Sequence, residues 1–282
     1  MKFDTSLFPK YSELSHFEKI ILRTCCYFPP EKRRKRSKLI IEPDKYVKTL
    51  TNAYGQDFFS EIDGKKVLDF GCGEGQFVIA MAIQSKGQFE GVDIQDQYQV
   101  ANEYVTKHQI SNTNFYHGNS KELLNESYDI IISHDSFEHF EQPEIILDEM
   151  MRLLKPKGKL FIKFGPTWMS PYGRHMSGTF KKSRPWIHLL IPERNMIRVH
   201  SVYHNDGELY EKFSDLKGGL NKMTINKAKR IISNNVELEI LKTEITPWRG
   251  LSFLTMFPVL KELFGSGAYF KCRKVSNENC EN

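Results

Sequence analysis

Long apolar runs are scarce in this chain. The longest nearly apolar stretch, Gly250 to Leu260, covers about eleven residues and contains Pro258; a membrane-spanning helix needs roughly 20. Residues Met1 to Ser12 carry no apolar segment of the secretory type, so a soluble, cytoplasmic protein is expected. Cysteine is sparse and odd in number. Cys25, Cys26, Cys72, Cys272 and Cys280 form no C-x-x-C pair, which argues against both a disulfide framework and a zinc site. None of the nine histidines stands in an H-E-x-x-H pattern, and the absence of an internal repeat excludes solenoids and propellers. Charge of one sign is not in large excess either. Forty Lys and Arg against thirty-five Asp and Glu leave a net charge of +5, compatible with nucleic acid, an anionic membrane surface or a phosphorylated small substrate and selecting none of them.

What is present is ordinary globular composition, 40% apolar and 27% charged over 282 residues, enough for one or two domains. Two helical patterns open the chain, Ser12 to Phe28, with Leu14, Phe17, Ile20 and Ile21 at helical spacing, and Asp44 to Ile62. Between them lies a basic run, Lys32 to Lys38, ordinarily a solvated segment and otherwise a contact for an anionic membrane surface. Residues 1–62 read as a helical N-terminal cap on a domain spanning 63–282. From Gly64 strands and helices alternate. Strands are expected at Lys66–Phe70, Phe89–Ile94, Asn114–His117, Tyr128–Ser133 and Lys159–Phe164, and helices at Gly75–Gln84, Gln97–Gln109 and Pro143–Leu154. This rhythm implies an α/β doubly wound, Rossmann-like sheet. It breaks across an insertion, 165–215, placed after the fifth strand at the ligand-binding ends of such sheets. It resumes with a helix at Thr224–Asn234, a strand at Glu237–Thr246, a short helix at Phe257–Leu263 and a last strand at Ala268–Lys274.

The stretch Val67-Leu68-Asp69-Phe70-Gly71-Cys72-Gly73-Glu74-Gly75 closes a strand and opens a helix, and Asp93 ends the next strand. Glycines permit a tight turn and close approach to a ligand; a carboxylate at Asp93 suits the two hydroxyls of a ribose. The nicotinamide fingerprint needs a glycine where Gln76 stands, and Asp69 and Glu74 put negative charge where a diphosphate would lie. A cationic ligand fits better than NAD.

At this point the chain resembles the class I S-adenosylmethionine-dependent methyltransferases. Five blocks match in order: VLDFGCGEG at 67–75, GVDI at 91–94, YDIIIS at 128–133, DSFEH at 135–139 and LLKPKGKLFI at 153–162. The resemblance covers about Gly64 to Phe164 with a last helix and two strands, and implies a seven-stranded, mostly parallel sheet. It also implies S-adenosyl-L-methionine as cofactor. Asp69, Gly71 and Gly73 would cradle the methionine part, Asp93 the ribose, and Ile94 the adenine. Asn119 and Ser120 stand where the family often has an Asp near the adenine amino group, and His134 would border the cofactor.

An in-line methyl transfer needs an aligned nucleophile, and a hydroxyl acceptor needs a base. Asp135, Glu138 and His139 fall at i, i+3 and i+4, one face of a helical turn. Similar letters bind a divalent ion in quinone-type O-methyltransferases and recur in metal-free relatives, so no metal is assigned. His139 and His175 are the candidate bases. Asp135, Phe137, Tyr172, Arg174, Trp186 and His188 are candidate substrate contacts, because aromatic and cationic residues together suit a sugar or phosphate. The stretch Gly-Gly-Leu-Asn-Lys-Met-Thr at 218–224 looks like methyltransferases of bacterial surface-polysaccharide clusters. The reading is methyl transfer to a small molecule, anionic or sugar-linked, of glycan or secondary metabolism. An RNA or protein methyltransferase is the alternative, although His134-Asp135-Ser136-Phe137 replaces the base-holding N/D-P-P-Y/F motif. A noncatalytic scaffold is a third.

Overall fold

A computed structural model describes residues 3–28, 30, 41–118, 120–216 and 218–275; the basic run 32–38 and Asn119 lie outside the described residues. Helix α1 (His16–Cys25) opens with a reciprocal cap: Glu18 N–H donates to Ser15 Oγ, and the Glu18 carboxylate accepts from Ser15 N–H. The expected helix over 44–62 is two helices, α2 (Pro43–Tyr54) and α3 (Phe58–Ile62). Gly55 separates them at φ +107°, a backbone conformation in which an α-helix cannot continue.

The alternating region follows as β1 (Lys65–Phe70), α4 (Gln76–Gln84), β2 (Gly87–Asp93), α5 (Gln99–Lys107), β3 (Thr113–His117), β4 (Tyr128–His134), α6 (Pro143–Leu153) and β5 (Leu154–Phe164). The insertion holds α7 (Ile187–Leu190) and α8 (Glu193–His204), and the chain ends in α9 (Ile225–Asn234), β6 (Leu238–Pro247), α10 (Pro258–Phe264) and β7 (Gly265–Lys274). The seven strands run in the order β3-β2-β1-β4-β5-β7-β6. β7 is antiparallel to both neighbours, and the other pairs are parallel. The doubly wound, mostly parallel seven-stranded sheet is therefore present. β6 is an exposed edge, protected by charged residues such as Glu239 and Lys242.

Two cores cover the sheet. On one face α6 and α9 (Leu147, Met150, Ala228, Ile231) pack on Leu68, Ile131 and Leu160. On the other α2, α3 and α4 (Leu50, Phe58, Ile62, Val78, Met81) pack on Val67, Phe89, Ile130 and Phe161. Glu61 of α3 bridges Lys159 of β5 and Lys271 of β7 at 2.6 and 2.7 Å.

A third cluster lies outside the sheet, and it divides the expected 1–62 cap. Ile21 and Leu22 of α1 pack with Met176, Phe180, Met196 and Ile197 of the insertion. Tyr27 N–H donates to Thr179 O and Lys181 N–H to Cys25 O. Buried Glu18 accepts from Arg198 Nε and Asn195 Nδ2, each at 3.1 Å. α1 thus belongs with the insertion, whereas α2 and α3 belong with the sheet. Among the described residues no helix is long and apolar enough to cross a membrane.

Candidate functional site

The glycine loop leaves β1 at the carboxyl edge of the sheet. Gly71 has φ +85°, and a Cβ there would lie 2.6 Å from Ser136 Cβ, so this glycine lets the loop pack against the turn after β4. Gly73, at φ +51°, has nothing within 4 Å of a would-be Cβ; it faces open space. Asp93 holds the loop in place: its Oδ2 accepts from Gly73 N–H at 2.8 Å and its Oδ1 from Gln95 N–H at 2.7 Å. Ile94 beside it is 79% exposed, an apolar side chain left uncovered.

Asp69 is the electrostatic anomaly of this end. It is 1% exposed, and among the described residues neither carboxylate oxygen has a hydrogen-bond partner. Burial, then the negative charge of Asp93, pushes its pKa up to about 8. An orphaned buried carboxylate is costly unless a donor or cation meets it. Tyr54 is close enough to feel its charge, and the Tyr54 hydroxyl lies 3.0 Å from His134 Nδ1. The His134 ring lies over Phe77 at 4.5 Å, and burial pushes its pKa down to about 3, so it is neutral. Tyr54, at the end of α2, was not a sequence candidate. The only signal for it is its place just before the helix-ending Gly55. Ser120 is engaged elsewhere: its hydroxyl donates to Glu149 Oε1 on α6.

The expected helical turn over 135–139 is not formed. Asp135 sits at φ +52°, and only a 3₁₀ turn, Phe137–His139, follows. Asp135 therefore leaves the helical register, and its side chain, 56% exposed, lies 3.7 Å from His134 Nε2. Phe137 is fully buried in the core with Phe140 and Phe164; it is not a pocket wall. Glu138 and His139 instead meet His175 of the insertion, with one ligand atom from each within 4.8 Å of the others. Two imidazoles and a carboxylate are a donor set able to hold a divalent ion.

Main-chain carbonyls fix both imidazoles, and because a carbonyl only accepts, each tautomer follows. His139 Nδ1–H donates to Gly218 O and Gly219 O, each at 2.6 Å, leaving its Nε2 with the lone pair. His175 Nε2–H donates to Pro166 O at 2.7 Å, leaving its Nδ1. Burial pushes the His175 pKa down to about 4. Glu138, buried with Oε2 unpartnered, is pushed up to about 8, again chiefly by burial. The 218–221 stretch braces this cluster, because Asn221 Nδ2 donates to Phe137 O and Phe140 O.

His139 and His175 line a cavity of about 520 Å³ with Arg174, His200, Asp206 and Tyr210. Of the other sequence candidates, Tyr172 donates its hydroxyl to Lys182 O. His188 is buried against Trp168, its Nε2 bonded to Trp168 O. Trp186 packs on Trp248 and Phe264 and donates to Leu263 O. These three hold the insertion together and do not line the cavity. His200 and Asp206 were not singled out as sites because α8 was not legible in the aromatic, cation-rich stretch that contains it.

Comparison with known proteins agrees with this arrangement. A family profile described as a methyltransferase domain matches residues 61–182. An arsenite methyltransferase of Aquipseudomonas alcaligenes is 35% identical over 112 residues, 36% of this chain and 32% of its own. A ubiquinone biosynthesis O-methyltransferase of Bartonella bacilliformis is 29% identical over 167 residues, 56% of this chain and 65% of its own. The chain thus spans about a third of the length of the arsenite methyltransferases it matches. Among solved structures, the [4+2]-cyclase SpnF superposes with a TM-score of 0.53 at 15% identity, covering 83% of this chain and 81% of that one. An S-adenosylmethionine-dependent methyltransferase from Listeria monocytogenes gives 0.53 at 14%, covering 83% and 100%. At these identities the structural likeness concerns the fold alone.

Proposed function

We propose that this chain, which carries a class I methyltransferase domain, uses S-adenosyl-L-methionine to methylate an oxygen or nitrogen of a small molecule. The observation that carries the reading is Asp69, a buried carboxylate without partners beside an open glycine turn. The residues present fit the cofactor. Asp69 would meet its ammonium, Gly73 leaves room for its backbone to approach, and Asp93, already fixed by Gly73 and Gln95, keeps lone pairs for ribose hydroxyls. Exposed Ile94 supplies apolar surface for adenine. When bound, the cofactor supplies an electrophilic methyl on sulfur.

The chain's own contribution is orientation and proton transfer. The acceptor would enter the cavity under the insertion and present its nucleophile beside His139. His139 Nε2, opposite the carbonyl-bound Nδ1–H, takes the proton that a hydroxyl acceptor loses as its new bond forms. His175, held neutral beside it, positions the acceptor without competing charge. The relatives are named for different acceptors, arsenite and an intermediate of ubiquinone biosynthesis, so they do not decide the acceptor of a cavity lined by Arg174 and histidines. An anionic or sugar-linked acceptor suits that lining.

Calorimetry with S-adenosylhomocysteine and S-adenosylmethionine, with NADH as control, tests the cofactor assignment. Binding of the two adenosyl ligands alone is expected, and its absence overturns the reading. With an acceptor found by screening, His139→Gln should lower kcat by at least about 100-fold and leave cofactor affinity unchanged. Undiminished turnover in that variant removes His139 from the base role, and loss of turnover on dialysis against a chelator would reassign the Glu138–His139–His175 cluster to a metal.

A further inference from the structure

Arg174 is buried to 1% exposure, yet among the described residues no carboxylate lies within ion-pair distance of it. Its Nη1 donates to the carbonyls of Pro171 and Arg184 at 3.3 and 3.2 Å, and the rings of Tyr172 and Phe180 lie 5.6 Å from the guanidinium. Among the described residues its Nε–H has no acceptor. A guanidinium stays charged at any pH the protein meets and offers five donors in one plane. The ionisable groups that favour its charge, Tyr172, Cys26, Tyr27 and Cys25, are weak acids, and neutral phenols and thiols do not offset a positive charge. A buried charge without a counter-charge is expensive, and two long carbonyl contacts leave most of that cost standing.

Arg174 also lines the cavity of about 520 Å³ that contains His139 and His175, a volume suited to a small organic ligand. Asp206 is the one carboxylate among the described residues lining it, against Arg174 and three histidines. The missing element is thus an anion of ligand size, supplied from outside the chain.

Building on the methyl-transfer reading, we infer that the acceptor carries a negatively charged oxygen group, a carboxylate or a phosphate, which pairs with Arg174 while its nucleophilic atom lies at His139. Arg174 then selects the acceptor, and His139 serves the reaction. The pairing desolvates an ion only where an opposite charge is already buried, so neutral molecules of the same shape are disfavoured.

The test uses inorganic phosphate and acetate as separate probes, each against chloride at equal ionic strength, on the full chain and on Arg174→Met and Arg174→Lys. Wild type should melt higher in at least one anion, by about 3 °C at ten times its Kd, and the anion that acts identifies the group. Arg174→Met should lose that shift while melting no lower than wild type in chloride. Arg174→Lys keeps the charge without the planar fork and should show a reduced shift, which preserves the test if the Met variant does not fold. With an acceptor in hand, Arg174→Met should raise KM by more than about tenfold with kcat little changed. Equal anion shifts in wild type and variants, or none in wild type, overturn the proposal. S-adenosylhomocysteine binding to the same samples is read separately. Its absence with an intact anion effect removes the methyl-transfer reading, and its presence without an anion effect removes the role of Arg174.

Discussion

If Asp69 meets the cofactor's ammonium as a carboxylate, binding must be linked to its ionisation. In the ligand-free chain its pKa is pushed up to about 8 by burial and by Asp93, so at pH 7 it is mostly protonated. Apparent affinity for S-adenosylhomocysteine then scales with the ionised fraction, about one tenth of its limit at pH 7 and about one hundredth at pH 6. The 100-fold drop from the limiting affinity to that at pH 6 corresponds to about 3 kcal/mol of binding free energy. Titration calorimetry at pH 7 in buffers of different ionisation heat should count close to one proton released per ligand bound. At high pH the ligand's ammonium deprotonates and affinity falls again, so the profile is bell-shaped. In Asp69→Asn the rising limb and the released proton should vanish together with most of the affinity. Wild-type affinity that stays flat between pH 6 and 8 without proton release would refute the assignment. The same shift acts on folding with a definite sign. A folded-state pKa raised above the unfolded value of about 3.8 stabilises the fold at low pH. That contribution is lost as pH rises through about 8, on the order of 5 kcal/mol in total. Glu138, pushed up to about 8 as well, acts in the same direction. The ligand-free protein should therefore melt lower at pH 8.5 than at pH 6, and S-adenosylhomocysteine should remove the Asp69 part of that difference.

Two glycine substitutions separate folding from binding. Gly71→Ala drives a methyl to within 2.6 Å of Ser136 Cβ and should destabilise by about 1–3 kcal/mol in urea melts, whereas Gly73→Ala meets no atom and should cost about 1–2 kcal/mol of backbone strain while weakening cofactor binding more than tenfold. Tyr54→Phe leaves buried His134 without its 3.0 Å partner and should lower stability by about 1–3 kcal/mol; an unchanged melt would show that another group satisfies the imidazole. Phe137→Ala opens a cavity in the core beside Phe140 and Phe164 and should cost about 3–5 kcal/mol, with cofactor affinity preserved well below the melt. A variant of native stability would return Phe137 to the pocket.

The sheet and the glycine turn after its first strand were legible because their signals are local. A buried strand reads as a continuous apolar run, as in Tyr128–His134, and the turn at Gly71 and Gly73 needs residues adjacent in sequence. Errors arose where one residue's backbone outweighed a periodic pattern. Gly55 split the helix over 44–62. The positive φ of Asp135 replaced an expected helical face with a bend and a 3₁₀ turn, and the cluster that forms is Glu138-His139-His175 rather than Asp135-Glu138-His139. The insertion was legible only as composition. Its aromatic and cationic residues suggested a binding surface, but most of them pack among themselves. Which of them reach the cavity depends on contacts between residues far apart in the chain.

That distance has a functional consequence. The proposed cofactor end is built from residues 54–134, mainly the β1-α4-β2 succession with the end of α2 and His134 at the end of β4. The proposed acceptor cavity draws on residues 139, 174–176, 200, 206, 210, 213, 216 and 218–220, and the insertion around it is held by α1 through Glu18 with Arg198 and by the pairing of residues 25–27 with 179–181. Changes in those outer segments can reshape the cavity without touching Asp69, the glycine loop or Asp93. A fold arranged this way keeps one donor chemistry while its acceptor varies. Relatives matched over the shared domain are therefore a poor guide to the acceptor of this chain, and the buried charge of Arg174, which lies in the variable part, is a better one.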